Sequence, residues 1–212
     1  MAYRPTERTE ARKAATRERV VRAALAQVAH GGYASASVQA VAARARVAVG
    51  TVYRHFPSKA DLFAEVFREA AQRELDVVVE VSGADGRPAH ERVAAAVEAF
   101  CRRALAAPVV AYAQIAEPVD PAVEAERLVL RRGYRDAFRA VLDDGVRDGE
   151  LRPHDTRTVA AALVGALGEA LVGPLSERDG RSRDALVAGL VQFCLNALPA
   201  REESRARHAV NA

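Results

Sequence analysis

Between Ser37 and Lys59 the chain reads SVQAVAARARVAVGTVYRHFPSK, and its apolar residues keep helical spacing on both sides of a three-residue break at Arg46, Val47 and Ala48. Val38, Val41 and Ala42 share one face, while Val52 and Phe56, four apart, share another. Neither run is long enough to hold a helix in water alone, because isolated helices shorter than about 12 residues are marginal. The two must pack against each other at an angle and against a further helix behind them. That is the arrangement of a DNA-reading helix-turn-helix.

The second helix of the pair, roughly Ala48 to Phe56, can be laid out at about 100° per residue. Val52 and Phe56 turn inward. Gly50, Thr51, Arg54 and His55 lie opposite, with Val49 and Tyr53 on the border. The outward face is therefore short, polar and cationic. Gly50 has no side chain, so a phosphate can approach the backbone amides near the helix start, and Thr51, Tyr53 and His55 bring hydrogen-bond donors. These groups can position an anion and do not form a catalytic set.

The run GTVYRHFPSKADLF beginning at Gly50, with the Gly32-Tyr33 pair upstream, resembles the N-terminal domain of the tetracycline-repressor (TetR) family of bacterial regulators. The resemblance covers about Thr9 to Phe67. It implies that Thr51, Tyr53, His55 and Lys59 grip phosphates, while Gln39, Val49 and Gly50 reach base edges in the major groove. Across the turn the family has Gly, Val and then Ser or Thr, where this chain has Arg46, Val47 and Ala48. A turn glycine tolerates positive φ and a hydroxyl caps the next helix; Arg and Ala do neither well, and a lost cap costs about 1 kcal/mol. Either the turn is modestly strained or Arg46 compensates by meeting a phosphate itself.

Charge supports an anion-binding N-terminal segment. Residues 1–60 hold 11 Lys or Arg against 3 acids, a net +8, whereas the remaining residues hold 20 against 25, a net −5. Met1 to Glu10 reads as a flexible basic arm. An amphipathic helix follows to His30, with Val20, Val21, Ala24, Leu25, Val28 and Ala29 on its apolar face and Gly31-Gly32 as its stop. Ser58 with Asp61 forms a capping-box pattern that opens a helix reaching about Val81. This helix links the first domain to the rest and is the expected lever. SGADGRP, residues 82–88, is the best break in the chain. Helical segments follow at about Ala89 to Ala107, Val109 to Ala116 and Pro121 to Asp148, and no useful strand-like alternation is present. The predicted class is all-α: a helix-turn-helix domain over 1–67, a linking helix over 58–82, an effector-binding and dimerisation domain over 83–198, and a loose tail over 199–212.

In such regulators the middle helices surround a small-molecule pocket, and the candidates here are Phe100, Tyr112, Gln114, Ile115, Glu117, Leu128, Tyr134 and Phe138. Glu117, beside Pro118, reads either as a polar anchor for the ligand or as a plain surface acid. The last two helices repeat apolar residues at i, i+3, i+4 and i+7. Val159, Ala162, Leu163, Ala166, Leu167 and Ala170 on one, with Leu186, Leu190, Phe193 and Cys194 on the other, are expected to close a four-helix bundle with a second copy. Two recognition helices about 34 to 36 Å apart would then enter successive major grooves of a palindromic operator.

The five histidines, at 30, 55, 90, 154 and 208, show no metal-ligand spacing, and there is neither a nucleophile elbow nor a phosphate-cradling glycine loop. No catalysis, metal or cofactor is expected. Cys101 and Cys194 lie far apart within apolar helical patterns and read as reduced, buried thiols. Met1 to Glu10 lacks the apolar segment of a signal peptide, and no apolar run approaching about 18 residues is evident, so a cytoplasmic protein without membrane contact is expected. A helical ligand-binding or adaptor protein without sequence-specific DNA binding is the alternative that Arg46 and Ala48 leave open.

Overall fold

The computed structural model describes residues 7–83, 86–176 and 182–199. Of the flexible basic arm expected over residues 1–10, residues 1–6 fall outside the described residues, whereas Glu7–Glu10 already form the first turn of a helix; the tail beyond Pro199 also falls outside. Within them every regular element is a helix: α1 (Glu7–Ser35), α2 (Val38–Ala45), α3 (Val49–His55), α4 (Lys59–Val81), α5 (Ala89–Ala106), α6 (Pro108–Ile115), α7 (Pro121–Arg147), α8 (Thr156–Ser176) and α9 (Arg183–Ala197).

The long amphipathic stretch of α1 stops where the sequence places its glycines. Gly31 (φ −148°) and Gly32 (φ 78°, ψ 179°) leave helical geometry, and a short turn continues to Ser35. Ser37 then caps α2 by accepting from the Ala40 amide at 3.2 Å. Arg46 ends α2 in the left-handed region at φ 55°. Its amide donates to the Ala43 carbonyl at 3.1 Å and that of Val47 to Ala42 at 3.0 Å, the paired bonds of a Schellman motif. At Ala48, before α3, no side-chain cap bond forms. The absent glycine and the absent hydroxyl thus leave the two signatures expected of them. Ser58 opens α4 as predicted: the Asp61 amide donates to Ser58 Oγ at 3.0 Å, and that hydroxyl donates to Asp61 Oδ2 at 2.8 Å.

Two hydrophobic cores result. Val20, Val41, Val52, Leu62 and Phe63 anchor the first, which reaches across the chain to include Ala113 of α6 and Val123 of α7. The second gathers Val93, Cys101, Phe138, Leu142, Leu163, Leu167 and Leu171 from α5, α7 and α8. Helix α4 belongs to both, with Leu62 to Phe67 in the first and Val78 in the second. Burial pushes the Cys101 thiol up to about 12, with Cys194 adding to it, and the Cys194 thiol up to about 11, so both stay protonated near neutral pH.

Helix α8 is more apolar than the sequence reading allowed, since its length and composition are those of a helix able to cross a membrane. Leu163, Leu167, Leu171 and Leu175 dock into the core, while Ala162, Gly165, Ala170 and Gly173 are exposed. The sequence pattern conceals this because Gly, Ala and Glu169 between the leucines break a strict apolar count.

Arg46 supplies a stability test. Left-handed backbone costs a residue with a Cβ about 1–2 kcal/mol, part of which glycine recovers. Arg46→Gly is expected to stabilise the fold by about 0.5–1 kcal/mol and to raise the thermal midpoint by about 1–4 °C, measured by circular dichroism. A lowered midpoint would mean that the arginine side chain contributes more to the folded state than its backbone costs.

Candidate nucleic-acid interface and helical-domain cavity

Helices α2 and α3 present the expected outward groups. Gln39, Arg44, Arg46, Gly50, Tyr53 and Arg54 are exposed, and Val49, Thr51, His55 and Lys59 are half-buried. Open space lies in front of Gly50, where an added Cβ would meet nothing within 4 Å. Arg54 Nη2 donates to Thr51 Oγ1 at 2.8 Å, which fixes both side chains on one side of α3. Burial, followed by the positive charges of Arg17, Arg54 and Lys13, lowers the His55 pKa below its usual value and favours a neutral imidazole near pH 7.

The supporting side chains were less visible in the sequence. Lys59 Nζ sits 4.8 Å above the Tyr33 ring and 5.7 Å above that of Phe63, a cation-π seat that orients the ammonium. Arg17 packs 5.0 Å over Phe56 and pairs with Glu65 at 2.9 Å. Arg19 Nε donates to the Ala45 carbonyl at 3.2 Å, holding the end of α2. The Gly32-Tyr33 pair was the available signal for the first of these. Nothing distinguishes Arg17 or Arg19 from the other polar residues of α1 until their partners are known.

Glu117 occupies neither of the positions considered for it. Its carboxylate accepts from the Tyr33 amide (Oε2, 2.9 Å) and the Ala34 amide (Oε1, 2.9 Å), joining the end of α6 to the turn that leads into α2. Only glycine fits at position 32, where a Cβ would sit 2.9 Å from Glu117 Oε1 on backbone at positive φ. The Tyr33 hydroxyl donates to Asp120 Oδ2, and burial followed by this bond raises the phenol pKa. The Tyr33 ring meets Phe63 and Phe67 edge-on at 5.3 and 6.1 Å. Arg127, 8% exposed, locks the same turn from below by donating to the carbonyls of Ala113 (2.8 Å) and Glu117 (2.7 Å) and to Glu124 Oε2 (2.7 Å). Burial lowers its pKa, yet the surrounding acceptors suit the charged form.

A cavity of about 100 Å³ opens between α4, α5, α6, α7 and α8. Phe100, Gln114, Ile115 and Tyr134 line it as expected, with Phe100 and Tyr134 edge-to-face at 5.1 Å. The other four candidates do not. Phe138 is buried in the core, Tyr112 packs half-buried against it, Leu128 is 45% exposed on the outside of α7, and Glu117 is taken by the Tyr33 turn. Helical spacing alone could not separate cavity wall from core. The polar lining includes Glu74, which receives both Nε and Nη2 of Arg103, and Arg131, whose Nη2 donates to the Ile115 carbonyl at 3.2 Å. Gln114 Nε2 is buried without a hydrogen-bond partner.

The residues expected to pair two copies also divide. Leu163, Leu167 and Cys194 lie inside the protomer's own core, because α8 and α9 must first close over α5 and α7. Ala162, Ala170 and Phe193, the last 52% exposed, face outward, and Val159, Ala166, Leu186 and Leu190 are half-buried.

Residues 20–66 match the family model for bacterial regulatory proteins of the tetR family, and residues 86–171 match that for the tetracyclin repressor-like C-terminal domain. The chain is 46% identical over 57 residues to the HTH-type transcriptional repressor KstR of Rhodococcus jostii, a match spanning 27% of each protein. Among solved structures, the fatty acid degradation regulator FadR from Bacillus halodurans superposes with a TM-score of 0.70 at 22% identity, covering 84% of this chain and 97% of its own. FadR from Bacillus subtilis, in complex with stearoyl-CoA, gives 0.73 at 19% identity, covering 85% and 98%. These two likenesses are of fold.

The junction at Glu117 is open to direct measurement. Glu117→Ala leaves two backbone amides without their acceptor, and the unfolding free energy is expected to fall by about 1–3 kcal/mol in urea denaturation. No change would show that water replaces the carboxylate at no cost.

Proposed function

Because the chain belongs to the TetR family of bacterial transcriptional regulators, we propose that it is a cytoplasmic, homodimeric repressor that binds a palindromic operator and is released by a small molecule. In this reading residues 1–67 hold the duplex and residues 83–198 bind the effector and pair the subunits, with α4 shared between them. The observation that carries it is the junction between the two. Helix α6 lines the cavity through Gln114 and Ile115, and the segment that follows it holds the turn before α2 through Glu117.

Thr51, Tyr53, His55 and Lys59 are assigned to phosphates, and Gln39, Val49 and Gly50 to base edges. Arg46 and Arg54, exposed at the turn and on α3, add positive charge toward the backbone of the duplex. Ala162, Ala170 and Phe193 form the centre of the subunit contact, supported by the exposed face of small residues on α8. A ligand that prefers a wider cavity favours a different placement of α6 and α4. The dimer population then shifts toward spacings of the recognition helices that no longer match successive grooves. The effector is left unnamed. The stearoyl-CoA held by the Bacillus subtilis neighbour is a precedent for a chain-like ligand in this architecture.

Selection of bound duplexes from a random pool at two salt concentrations is expected to recover an inverted repeat. Recovery of nothing beyond a salt-sensitive background would favour a ligand-binding or adaptor protein that has lost sequence reading, a reading to which the strained Arg46 and uncapped Ala48 lend support. On the recovered operator, Tyr53→Ala and Lys59→Ala are expected to weaken binding to all sequences alike, with Lys59→Ala reducing the salt slope by about 1. Gln39→Ala is expected to alter base preference at one position by about 1–3 kcal/mol, read by competition binding. A changed preference in Lys59→Ala with unchanged nonspecific affinity would reverse these roles.

A further inference from the structure

Several arginines in the helical domain are paired. Arg92 meets Asp144 at 3.0 Å, Arg102 meets Glu98 at 2.7 Å and Asp184 at 2.8 Å, and Arg127 meets Glu124 at 2.7 Å. Three arginines without an ion pair gather where α7 passes α8. Arg132, Arg135 and Arg139 recur at i, i+3 and i+7 on α7, and with Asp136, Arg157 and Ala161 they line a groove of about 250 Å³. Four guanidinium groups and the Asp136 carboxylate line it, and one of the four, Arg139, also pairs with Asp143 at 3.3 Å. Arg132, Arg135 and Arg157 make no ion pair and no side-chain hydrogen bond among the described residues.

The neighbouring acids share their oxygens between these arginines and other donors. Asp143 comes within 3.3 Å of Arg139 Nε but accepts from Thr156 Oγ1 at 2.6 Å, and that buried Nε has no hydrogen-bond partner. Asp155 accepts from the Thr158 hydroxyl and from the Arg157 and Thr158 amides, both at 3.1 Å, at the start of α8. Like charges three or four residues apart on a helix repel, so the cluster opposes folding in the absence of an anion. Guanidinium forks match phosphate oxygens in pairs, and such bonds are about twice as strong as neutral ones.

Position along α8 connects this groove to the cavity. Arg157, Ala161, Val164 and Gly168 recur at i, i+4, i+7 and i+11, one face of the helix; the first two line the groove and the last two line the cavity. Ala161 and Val164 are only about 5 Å apart along the axis. An added Cβ at Gly168 would meet nothing within 4 Å.

We propose that the arginine groove holds the phosphate-bearing head of an amphiphilic ligand whose apolar part enters the cavity, an assignment that rests on the cavity being the effector site. The cavity accepts a slim hydrocarbon chain, and the groove selects a multiply charged head over a neutral one. Arg135 and Arg157, one from each helix, grip the head, with Arg132 and Arg139 flanking it.

Calorimetric titration of the full chain with geranyl diphosphate, geraniol and inorganic pyrophosphate at low salt tests this, together with the double variant Arg135→Gln/Arg157→Gln and Gly168→Leu. The unaltered protein is expected to bind geranyl diphosphate at least tenfold more tightly than either geraniol or pyrophosphate. Arg135→Gln/Arg157→Gln should lose at least tenfold for geranyl diphosphate and nothing for geraniol, whereas Gly168→Leu should lose both. Unchanged geranyl diphosphate affinity in the double variant, or none in the unaltered protein, overturns the proposal. So does a double variant that loses only duplex affinity, which would give the face to nucleic acid. If the double variant loses geranyl diphosphate while Gly168→Leu does not, the groove stands and the reading of the cavity as the effector site fails.

Discussion

A carboxylate bonded to two backbone amides joins the halves of this protein. Domains with separate cores move relative to one another by default, and what prevents it is a contact that desolvates strong groups on both sides. Glu117 supplies such a contact by taking the amides of Tyr33 and Ala34, and Gly32 makes room for it by having no Cβ. Around it the Tyr33 hydroxyl reaches Asp120, Arg127 ties down the carbonyls of Ala113 and Glu117, and Ala113 and Val123 enter the first core. Removing Glu117 leaves two amides without their acceptor, and removing Arg127 leaves two carbonyls without this donor. The α6–α7 turn is therefore structurally part of the helix-turn-helix domain although it lies some eighty residues downstream of Tyr33.

That constraint gives α4 its role. Its N-terminal half packs with α1 and α3 in the first core, and its C-terminal half meets α5 and α7 in the second. With α6 fixed to the turn before α2, the first domain is held at two separate points on the second. Two attachments define an orientation where one would define only a hinge. In the proposed response, a change in the spacing of α4 and α6, which both line the cavity, would turn α2 and α3 together.

Local chemistry made most of the fold legible. Ser58, the Gly31-Gly32 break and the proline start at Pro121 act through the nearest three or four residues, so these helix boundaries can be read from them. The outward face of α3 was legible for the same reason. Glu117 was not, since its partners are amides more than eighty residues away and no side-chain pattern marks an amide. Phe138 and Phe100 show the parallel limit for the cavity: both are aromatic and helical, one fills the core and the other lines a void, and only the packing of five helices decides which. Leu163 and Leu167 repeat the lesson on α8, where a single apolar helix serves an inner face and an exposed one.

A chain selected only for stability would not keep the features that remain. Arg46 holds left-handed backbone where glycine would relax, Ala48 leaves α3 uncapped, Gln114 buries an unpaired amide nitrogen, and Arg132, Arg135 and Arg157 stand together without an ion pair. Each departs from a local rule by about 0.3–2 kcal/mol, a sizeable share of the 5–15 kcal/mol that holds a typical domain. Such departures concentrate where a surface answers to a ligand rather than to the fold. Here they fall in two groups, at the α2–α3 turn and along the α6, α7 and α8 walls, while the capping of α2 and α4 and the Arg92–Asp144 pair obey the rules. The strain in this molecule is thus partitioned between the two regions that Glu117 connects.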